Sequence, residues 1–144
     1  MLDRPVHFLL VEDDDDHAML IMLGLLAQDG PPKTADRVRD GEEALAYLHG
    51  SEKYASRRLP DIVLLDLKLP RMDGHQVLAA IKSDSELRSI PVIVLTTSRA
   101  PEDKARAYAH SANSYLTKPT DFGEFGKLIK NVAAYWTSWN QLRC

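Results

Sequence analysis

The stretch DIVLLDLKLPRMDG at residues 61–74 decides the fold. Its first part, Asp61–Leu65, is almost continuously apolar, which is typical of a buried parallel strand covered on both faces. Asp66 follows that strand directly. Asp73 and Gly74 are typical of a turn that begins a helix, since Asp is a good N-cap. The stretch therefore predicts a strand, a loop and a helix start, with a carboxylate at the strand's carboxyl end.

The same order of strand and helix recurs along the chain. Strands are predicted at His7–Val11, Lys33–Val38, Asp61–Leu65, Pro91–Thr96 and Ser114–Thr117, and helices at Asp15–Gln28, Gly41–His49, Gly74–Ser83, Glu102–His110 and Asp121–Trp136. Such alternation predicts a parallel sheet with helices on both faces and right-handed crossovers. Five such units predict an α/β, flavodoxin-like (βα)5 doubly wound sheet of strand order 2-1-3-4-5.

Composition limits the classes of function. The 144 residues carry 18 basic and 21 acidic side chains, a net charge of −3, unlike the basic surface of a nucleic-acid binder. The single cysteine, Cys144, excludes an intrachain disulfide. The longest apolar stretch, Ala18–Ala27, is about half of the roughly 20 residues that span a bilayer, and Met1–Pro5 lack the long apolar run of a signal peptide. We therefore expect one cytoplasmic domain without nucleic-acid or membrane partners.

Polar side chains stand at the carboxyl ends of the predicted strands. Glu12 and Asp13 follow strand one, Asp66 follows strand three, Thr96 ends strand four and Lys118 follows strand five. In sheets of this order, the functional site lies outside the carboxyl ends of the strands. Three clustered carboxylates repel each other unless a cation is present. The pattern therefore predicts a cation site at this edge.

The chemistry of these side chains favours phosphoryl transfer. Mg²⁺ prefers one or two carboxylates together with waters and phosphate oxygens, so Asp13 and Asp66 are the expected direct ligands, with Glu12 acting mainly through a water. Mn²⁺ is expected to substitute. A carboxylate can attack phosphorus to form an aspartyl phosphate, a role that suits Asp66. Lys118 would then neutralise one phosphoryl oxygen, and the Thr96 hydroxyl would donate to another.

Four segments closely resemble the response regulator receiver family: FLLVEDD (8–14), DIVLLDLKLPRMDG (61–74), PVIVLTTS (91–98) and NSYLTKP (113–119). The resemblance implies a receiver domain over residues 6–136 that accepts a phosphoryl group on Asp66 from a sensor histidine kinase. It implies a C-terminal extension at 137–144 with no output domain, so that output comes from protein contacts. The protein would then promote phosphoryl transfer only onto itself and would not be an enzyme.

The resemblance also assigns individual roles. It makes the main-chain carbonyl of Lys68 the third protein ligand of the metal, Thr96 the switch hydroxyl and Tyr115 the switch aromatic. It implies a cis peptide bond between Lys118 and Pro119. Details in LDLKLPRMDG, VLTTS, NSYLTKP and AYW look most like stand-alone regulators paired with bacterial phytochrome histidine kinases. Many of those regulators carry Asn at the position of Lys68.

Two other functions are compatible with parts of this pattern. One is a Mg²⁺-dependent phosphotransferase or phosphatase with an Asp nucleophile; haloacid-dehalogenase-like enzymes of that kind carry a second Asp where this chain has Lys68. The other is a degenerate receiver that serves only as a scaffold. The acidic pair, Asp66, Thr96 and Lys118 are all present, which counts against a scaffold.

Several features outside the strand ends lead to further predictions. The first helix is apolar almost all round, so part of it packs beneath a loop or forms a partner surface. The last helix places core residues on one face: Phe122, Phe125, Leu128, Ile129, Val132 and Trp136. Trp139 and Leu142 lie beyond that pattern and favour a homodimer through the fourth and fifth units and the terminal segment.

Asp14, Asp15 and Asp16 are read as capping and surface charges. The five histidines lack metal-ligand spacing and are read as surface or partner residues.

Overall fold

A computed structural model describes residues 4–27 and 30–142. Five strands form one sheet: β1 Val6–Val11, β2 Lys33–Val38, β3 Ile62–Leu65, β4 Val92–Thr96 and β5 Ser114–Thr117. All four neighbouring pairs are parallel, in the order β2-β1-β3-β4-β5. The predicted fold class and strand order are therefore confirmed.

Five helices connect and cover the strands: α1 Asp15–Leu25, α2 Gly41–His49, α3 Gly74–Ser83, α4 Pro101–Ala109 and α5 Phe122–Ala134. A short 3₁₀ helix, Glu52–Tyr54, follows α2. The predicted start of the fourth helix was one residue late, because proline suits the first helical turn, where its missing N–H has no partner to lose.

The two longest predicted helices end differently from the prediction. Helix α1 ends at Leu25, and the predicted last residue, Gln28, lies outside the described residues. Helix α5 ends at Ala134 and continues as a π-helical turn, Tyr135–Trp139, in which the Asn140 amide donates to the Tyr135 carbonyl at 2.6 Å. The apolar period does not distinguish an α turn from a π turn, so this boundary was predicted incorrectly.

The core consists of two apolar layers, one on each face of the sheet. Alternate residues of β1 point to opposite faces, with Leu9 and Val11 in one layer and Phe8 and Leu10 in the other. Helices α2, α3 and α4 cover the first layer, and α1 and α5 cover the second. Both faces of the sheet are therefore buried, which explains the continuously apolar central strands.

Two aspartates begin helices as the sequence predicts. The Asp14 carboxylate accepts from the His17 amide at 3.0 Å and caps α1. The Asp73 carboxylate accepts from the Gln76 amide at 3.0 Å, and the Gln76 side chain accepts from the Asp73 amide at 3.1 Å, which forms a capping box. A Cβ atom at Gly74 would lie 2.3 Å from the Asp66 carbonyl oxygen, so α3 begins in direct contact with the Asp66 backbone.

The surface carries several large apolar side chains. On α1, the side chains of Met19 and Leu23 are exposed, so these two surplus residues do not pack beneath a loop, and the alternative of a partner surface stays a prediction. Phe122 is also exposed, which makes its prediction as a core residue wrong: it stands at the first position of α5, before the helix passes over the sheet. None of the helices in the described ranges is both long and apolar enough to cross a bilayer.

Candidate functional site

The hydrogen bonds of the sheet continue into the residues that follow the strands. The Glu12 amide donates to the Val38 carbonyl at 3.1 Å, and the Asp66 amide donates to the Val11 carbonyl at 3.1 Å. The Lys118 amide donates to the carbonyl of Thr96 at 2.7 Å. The backbone of each of these residues is therefore fixed by the neighbouring strand, and their side chains meet at one edge of the sheet.

Three carboxylates lie together at this edge. One oxygen each from Glu12, Asp13 and Asp66 can be chosen so that all lie within 4.8 Å of one another. Glu12 and Asp66 are buried, and Asp13 is exposed. Carboxylate oxygens are hard ligands of the kind that Mg²⁺ and Mn²⁺ prefer. The predicted acidic residues do come together, and they fit a divalent cation approached from the Asp13 side.

The Lys118 ammonium is buried among these groups. Its Nζ lies 2.5 Å from Glu12 Oε1 and 3.1 Å from Asp66 Oδ2. A third partner, Nδ1 of His17, lies 3.0 Å from the same Nζ. The side chain of Lys118 is 2% exposed, so the ammonium is stabilised by these contacts in place of water. It compensates part of the negative charge that the carboxylates bring to the edge.

Burial and the ammonium act on Glu12 in opposite directions. Removal of the carboxylate from water raises the pKa of Glu12 to about 7, while the hydrogen bond and positive charge of Lys118 act to lower it. The negative charge of Asp66 adds to the rise. Burial therefore disfavours the ionised form of Glu12, and Lys118 stabilises it.

Thr96 and Tyr115 both contact Ser98, the second residue after β4. The Ser98 amide donates to Thr96 Oγ1 at 3.3 Å, and the Tyr115 hydroxyl donates to the Ser98 carbonyl at 3.1 Å. Thr96 is fully buried, and Tyr115 is half-buried, with burial as the main cause of its raised pKa. The hydroxyl at the strand end and the aromatic ring on β5 are thus linked through one loop residue.

A polar bridge holds that loop to the neighbouring helices. Ser98 Oγ donates to Asp103 Oδ2 at 2.5 Å, and His75 Nε2 lies 3.0 Å from Asp103 Oδ1. These two hydrogen bonds, the one from Ser98 first, lower the pKa of the Asp103 carboxyl. Since His75 belongs to α3 and Asp103 to α4, the bridge connects both helices to the loop that carries Ser98.

Lys68 lies two residues after Asp66, at the mouth of the cluster. Its amide donates to Asp66 Oδ1 at 3.3 Å, and its side chain is exposed. Its positive charge contributes to the lowered pKa of Asp103. Among the described residues, Lys68 forms no ion pair with Glu12, whose cationic partner is Lys118.

The peptide bond before Pro119 differs from the sequence-based expectation. The cis bond implied by the family resemblance is absent, and the Lys118–Pro119 bond is trans. The trans form is the more stable isomer of X–Pro bonds by about 0.5–1 kcal/mol. The Lys118 amide keeps its hydrogen bond to the sheet in this form.

Three histidines were predicted incorrectly as surface or partner residues. His7 and His75 are buried, and both are hydrogen-bonded to polar side chains. His17 contacts the Lys118 ammonium and is the site residue that sequence reasoning missed. The available signal was its position on the first turn of the helix that follows the acidic pair, a turn that lies over the same edge of the sheet.

The fold and this edge together define the class: a receiver of two-component phosphorelay signalling. A family model described as "Response regulator receiver domain" matches residues 8–130. The chain therefore belongs to the response regulator receiver family.

The relatives agree with this class. "Probable methanogenesis regulatory protein FilR2" of Methanothrix harundinacea is 46% identical over 96% of this chain and 88% of its own length. "Response regulator Rcp1" of Synechocystis is 36% identical over 92% of this chain and 89% of its own length.

Two solved structures are close in shape. The phosphorylated cyanobacterial phytochrome response regulator RcpA superposes with a TM-score of 0.93 at 38% identity, covering 98% of this chain and 100% of its own. The Mn²⁺-bound form of Rcp1 superposes with a TM-score of 0.92 at 34% identity, covering 97% of this chain and 100% of its own. These structures share the complete receiver fold with this chain.

Proposed function

We propose that Asp66 is the phosphoacceptor of this receiver, with Lys118 and Thr96 as the groups that assist the transfer. The observation that carries the proposal is the position of the buried Lys118 ammonium, 3.1 Å from Asp66 Oδ2 and 2.5 Å from Glu12 Oε1. An ammonium at that distance can neutralise an oxygen of an incoming phosphoryl group. The Asp66 oxygen attacks phosphorus, and the bond from phosphorus to the donor breaks: a P–N bond in a phosphohistidine, or a P–O bond in acetyl phosphate. The donor then leaves.

The metal site of this proposal consists of Glu12, Asp13, Asp66 and the main-chain carbonyl of Lys68. The clustered carboxylate oxygens support it, as does the Mn²⁺-bound form of the similar regulator Rcp1. Mg²⁺, or Mn²⁺ in its place, would neutralise phosphoryl oxygens when bound there.

The switch of this proposal runs from Thr96 to Tyr115. A phosphoryl group on Asp66 offers the Thr96 hydroxyl a charged acceptor, which forms a stronger hydrogen bond than a neutral one. The Ser98 amide now donates to Thr96 Oγ1, and the Tyr115 hydroxyl donates to the Ser98 carbonyl. A turn of the Thr96 hydroxyl toward the phosphoryl group would therefore release this loop and change the surface that partners meet.

The proposed partner is a sensor histidine kinase in the cytoplasm. Neither nucleic acid nor a membrane is a proposed partner. The exposed Met19 and Leu23 of α1 offer it an apolar surface. The similarity to the phytochrome response regulator RcpA supports a bacteriophytochrome kinase. FilR2, a probable methanogenesis regulatory protein, has the higher identity, which supports instead a kinase that acts on a regulator of that kind. Phosphotransfer from purified kinases of both kinds to this protein would separate the two.

Incubation with acetyl phosphate and Mg²⁺ tests the acceptor. Intact-mass measurement should show one added phosphoryl group in the wild type and in Asp16→Asn, a control at an exposed acid of α1. Asp66→Asn, or removal of the metal with a chelator, should abolish labelling. Equal labelling of Asp66→Asn would contradict the assignment.

A phosphate-release assay tests the enzymatic alternative. A receiver labels its own aspartate once. A phosphatase with an aspartate nucleophile releases phosphate from monoesters over many turnovers. We expect no sustained phosphate release from a monoester substrate. Release that continues well beyond one equivalent of protein would favour the enzyme.

A further inference from the structure

His17 lies in the site but has no part in the proposed function. It stands on the first turn of α1, and its Nδ1 lies 3.0 Å from the Nζ of Lys118. Its side chain is 26% exposed, so most of the imidazole is covered by the protein. A histidine that only occupied the surface would direct its ring nitrogens to water.

Counting donors and acceptors assigns the direction of this contact. The Lys118 ammonium has three N–H donors and no acceptor. Its three partners are Glu12 Oε1 at 2.5 Å, Asp66 Oδ2 at 3.1 Å and His17 Nδ1 at 3.0 Å. Each donor is therefore used once, and His17 Nδ1 must accept, which leaves its other ring nitrogen as the one that carries hydrogen.

The acceptor is held in place by two helices. The His17 amide donates to the Asp14 carboxylate at 3.0 Å, which fixes the start of α1. The imidazole packs against the Phe125 ring of α5, with 5.6 Å between the ring centres and an angle of 52° between the planes. Phe125 is itself buried. The imidazole is thus held by the start of α1 and by the ring of Phe125, neither of which belongs to the cluster of Glu12, Asp13 and Asp66.

The three acceptors differ in what phosphoryl transfer does to them. Asp66 becomes an acyl phosphate and loses its carboxylate charge, and Glu12 belongs to the acidic cluster that would face the metal. His17 is neither phosphorylated nor part of that acidic cluster, so its Nδ1 can accept from Lys118 throughout. We propose that His17 is a positioning residue for Lys118: it accepts one N–H so that the other two stay aimed at Asp66 and Glu12. This inference rests on the proposed phosphorylation of Asp66.

The test measures the labelling rate of Asp66 by acetyl phosphate at saturating Mg²⁺. His17→Leu removes the acceptor and should slow labelling by about threefold to tenfold, because the ammonium loses one of its three hydrogen bonds while the other two remain. His17→Asn supplies a side-chain carbonyl at a similar reach and should label within about twofold of the wild type. His49→Leu, at an exposed histidine of α2, is the matched control and should label at the wild-type rate.

A double-mutant comparison separates positioning from a merely structural role. In a Lys118→Ala background the acceptor has no ammonium to hold, so adding His17→Leu should slow labelling no further. The inference is overturned if His17→Leu labels like the wild type, or if it slows labelling equally with and without Lys118. Should the leucine variant not fold, His17→Ala takes its place in the same comparison.

The outcome for the wild type keeps the two proposals apart. Normal labelling of Asp66 with an unchanged His17→Leu rate overturns the positioning role alone. Absent labelling of the wild type, or labelling that persists in Asp66→Asn, overturns the proposed function and the positioning role with it.

Discussion

The charge balance at the strand ends explains why these residues need one another. Glu12, Asp66 and Lys118 are buried, and a buried charge is costly unless it is paired. Three carboxylates with one ammonium leave two negative charges when all are ionised. A divalent cation restores neutrality, so the ammonium and the cation act on the same carboxylates.

Metal affinity should therefore respond in opposite directions to two substitutions. Asp13→Asn removes a negatively charged ligand and should weaken Mg²⁺ binding by about tenfold or more. Lys118→Met removes the competing positive charge and should strengthen binding several-fold. Calorimetric titration with Mg²⁺ and with Mn²⁺ measures both, with Asp16→Asn as the control for an exposed acid. Equal affinities in the two variants would contradict these roles.

The sequence predicts which residues end the strands, but it does not predict what covers them. Glu12, Asp66 and Lys118 could be placed together because parallel strands bring their carboxyl ends to one edge. His17 and Lys118 are 101 positions apart, and their contact depends on how α1 is rotated against α5. His75 likewise meets Asp103 through the packing of α3 on α4. Periodicity identifies the buried stripe of a helix but not the polar contacts at its ends.

At the scale of elements, the strands were predicted more accurately than the helix ends. The predicted bounds of β2 and β5, Lys33–Val38 and Ser114–Thr117, agree with the structure to the residue, whereas β1, β3 and β4 each differ by one residue at their start. The end of α5 was missed because the chain keeps its helical direction through a π turn at Tyr135–Trp139. Trp136 and Leu142 still pack on the second core layer, which accounts for two of the apolar residues near the terminus.

The contact between α1 and α5 requires a glycine on one side. A Cβ atom at Gly24 would lie 2.6 Å from Cγ2 of Ile129, whereas a Cβ atom at Gly126 would meet nothing within 4 Å. Gly24→Ala should lower the free energy of unfolding by about 1–3 kcal/mol through overpacking. Gly126→Ala should raise it by up to about 1 kcal/mol, because alanine favours the helix.

Urea unfolding of both glycine variants tests this pair under one set of conditions. The two substitutions are chemically identical and both lie within helices, so propensity alone would raise both stabilities. A stabilised Gly24→Ala would show that the two helices can separate without loss. It would also weaken the account of how the imidazole of His17 is held.

At the scale of the whole molecule, a buried histidine links stability to pH. His7 on β1 is hydrogen-bonded through Nδ1 to Thr34 Oγ1 and through Nε2 to the Tyr47 hydroxyl, both at 2.7 Å. Burial is the main cause that lowers the pKa of His7 from its ordinary value of 6.5, with Arg58 adding to the fall and Asp36 opposing it. The folded chain therefore keeps His7 neutral where the unfolded chain takes up a proton.

The free energy of unfolding should accordingly fall as the pH drops below about 6.5. Above that pH neither state protonates His7, so its contribution is complete. The variant His7→Gln should have a flatter profile of unfolding free energy between pH 7 and pH 5. The difference in slope corresponds to the uptake of up to about one proton fewer on unfolding. Urea unfolding across this range measures the difference, and parallel profiles for the two proteins would contradict the role of His7.

The described surface near the carboxyl terminus carries aromatic side chains that the core does not use. Trp139 is 81% exposed and Tyr135 is 53% exposed. The Tyr135 ring packs at 86° to the ring of Trp136, with 5.5 Å between the centres. Exposed tryptophan and tyrosine are frequent anchors of protein interfaces. We therefore predict a homodimer in which this aromatic surface of Tyr135 and Trp139 is covered by a second copy.

Point substitutions test the dimer better than truncation after Ala134, because truncation would also remove Trp136 and Leu142 from the second core layer. Trp139→Ser and Tyr135→Ser leave that layer in place and should shift sedimentation toward the monomer, with a loss of about 2 kcal/mol or more in dimer free energy for the tryptophan. Met19→Ser, on the exposed face of α1, should leave the dimer unchanged. A wild type that stays monomeric at high concentration, with and without phosphorylation, would reject the dimer. A shift for Met19→Ser alone would place the interface on α1 instead.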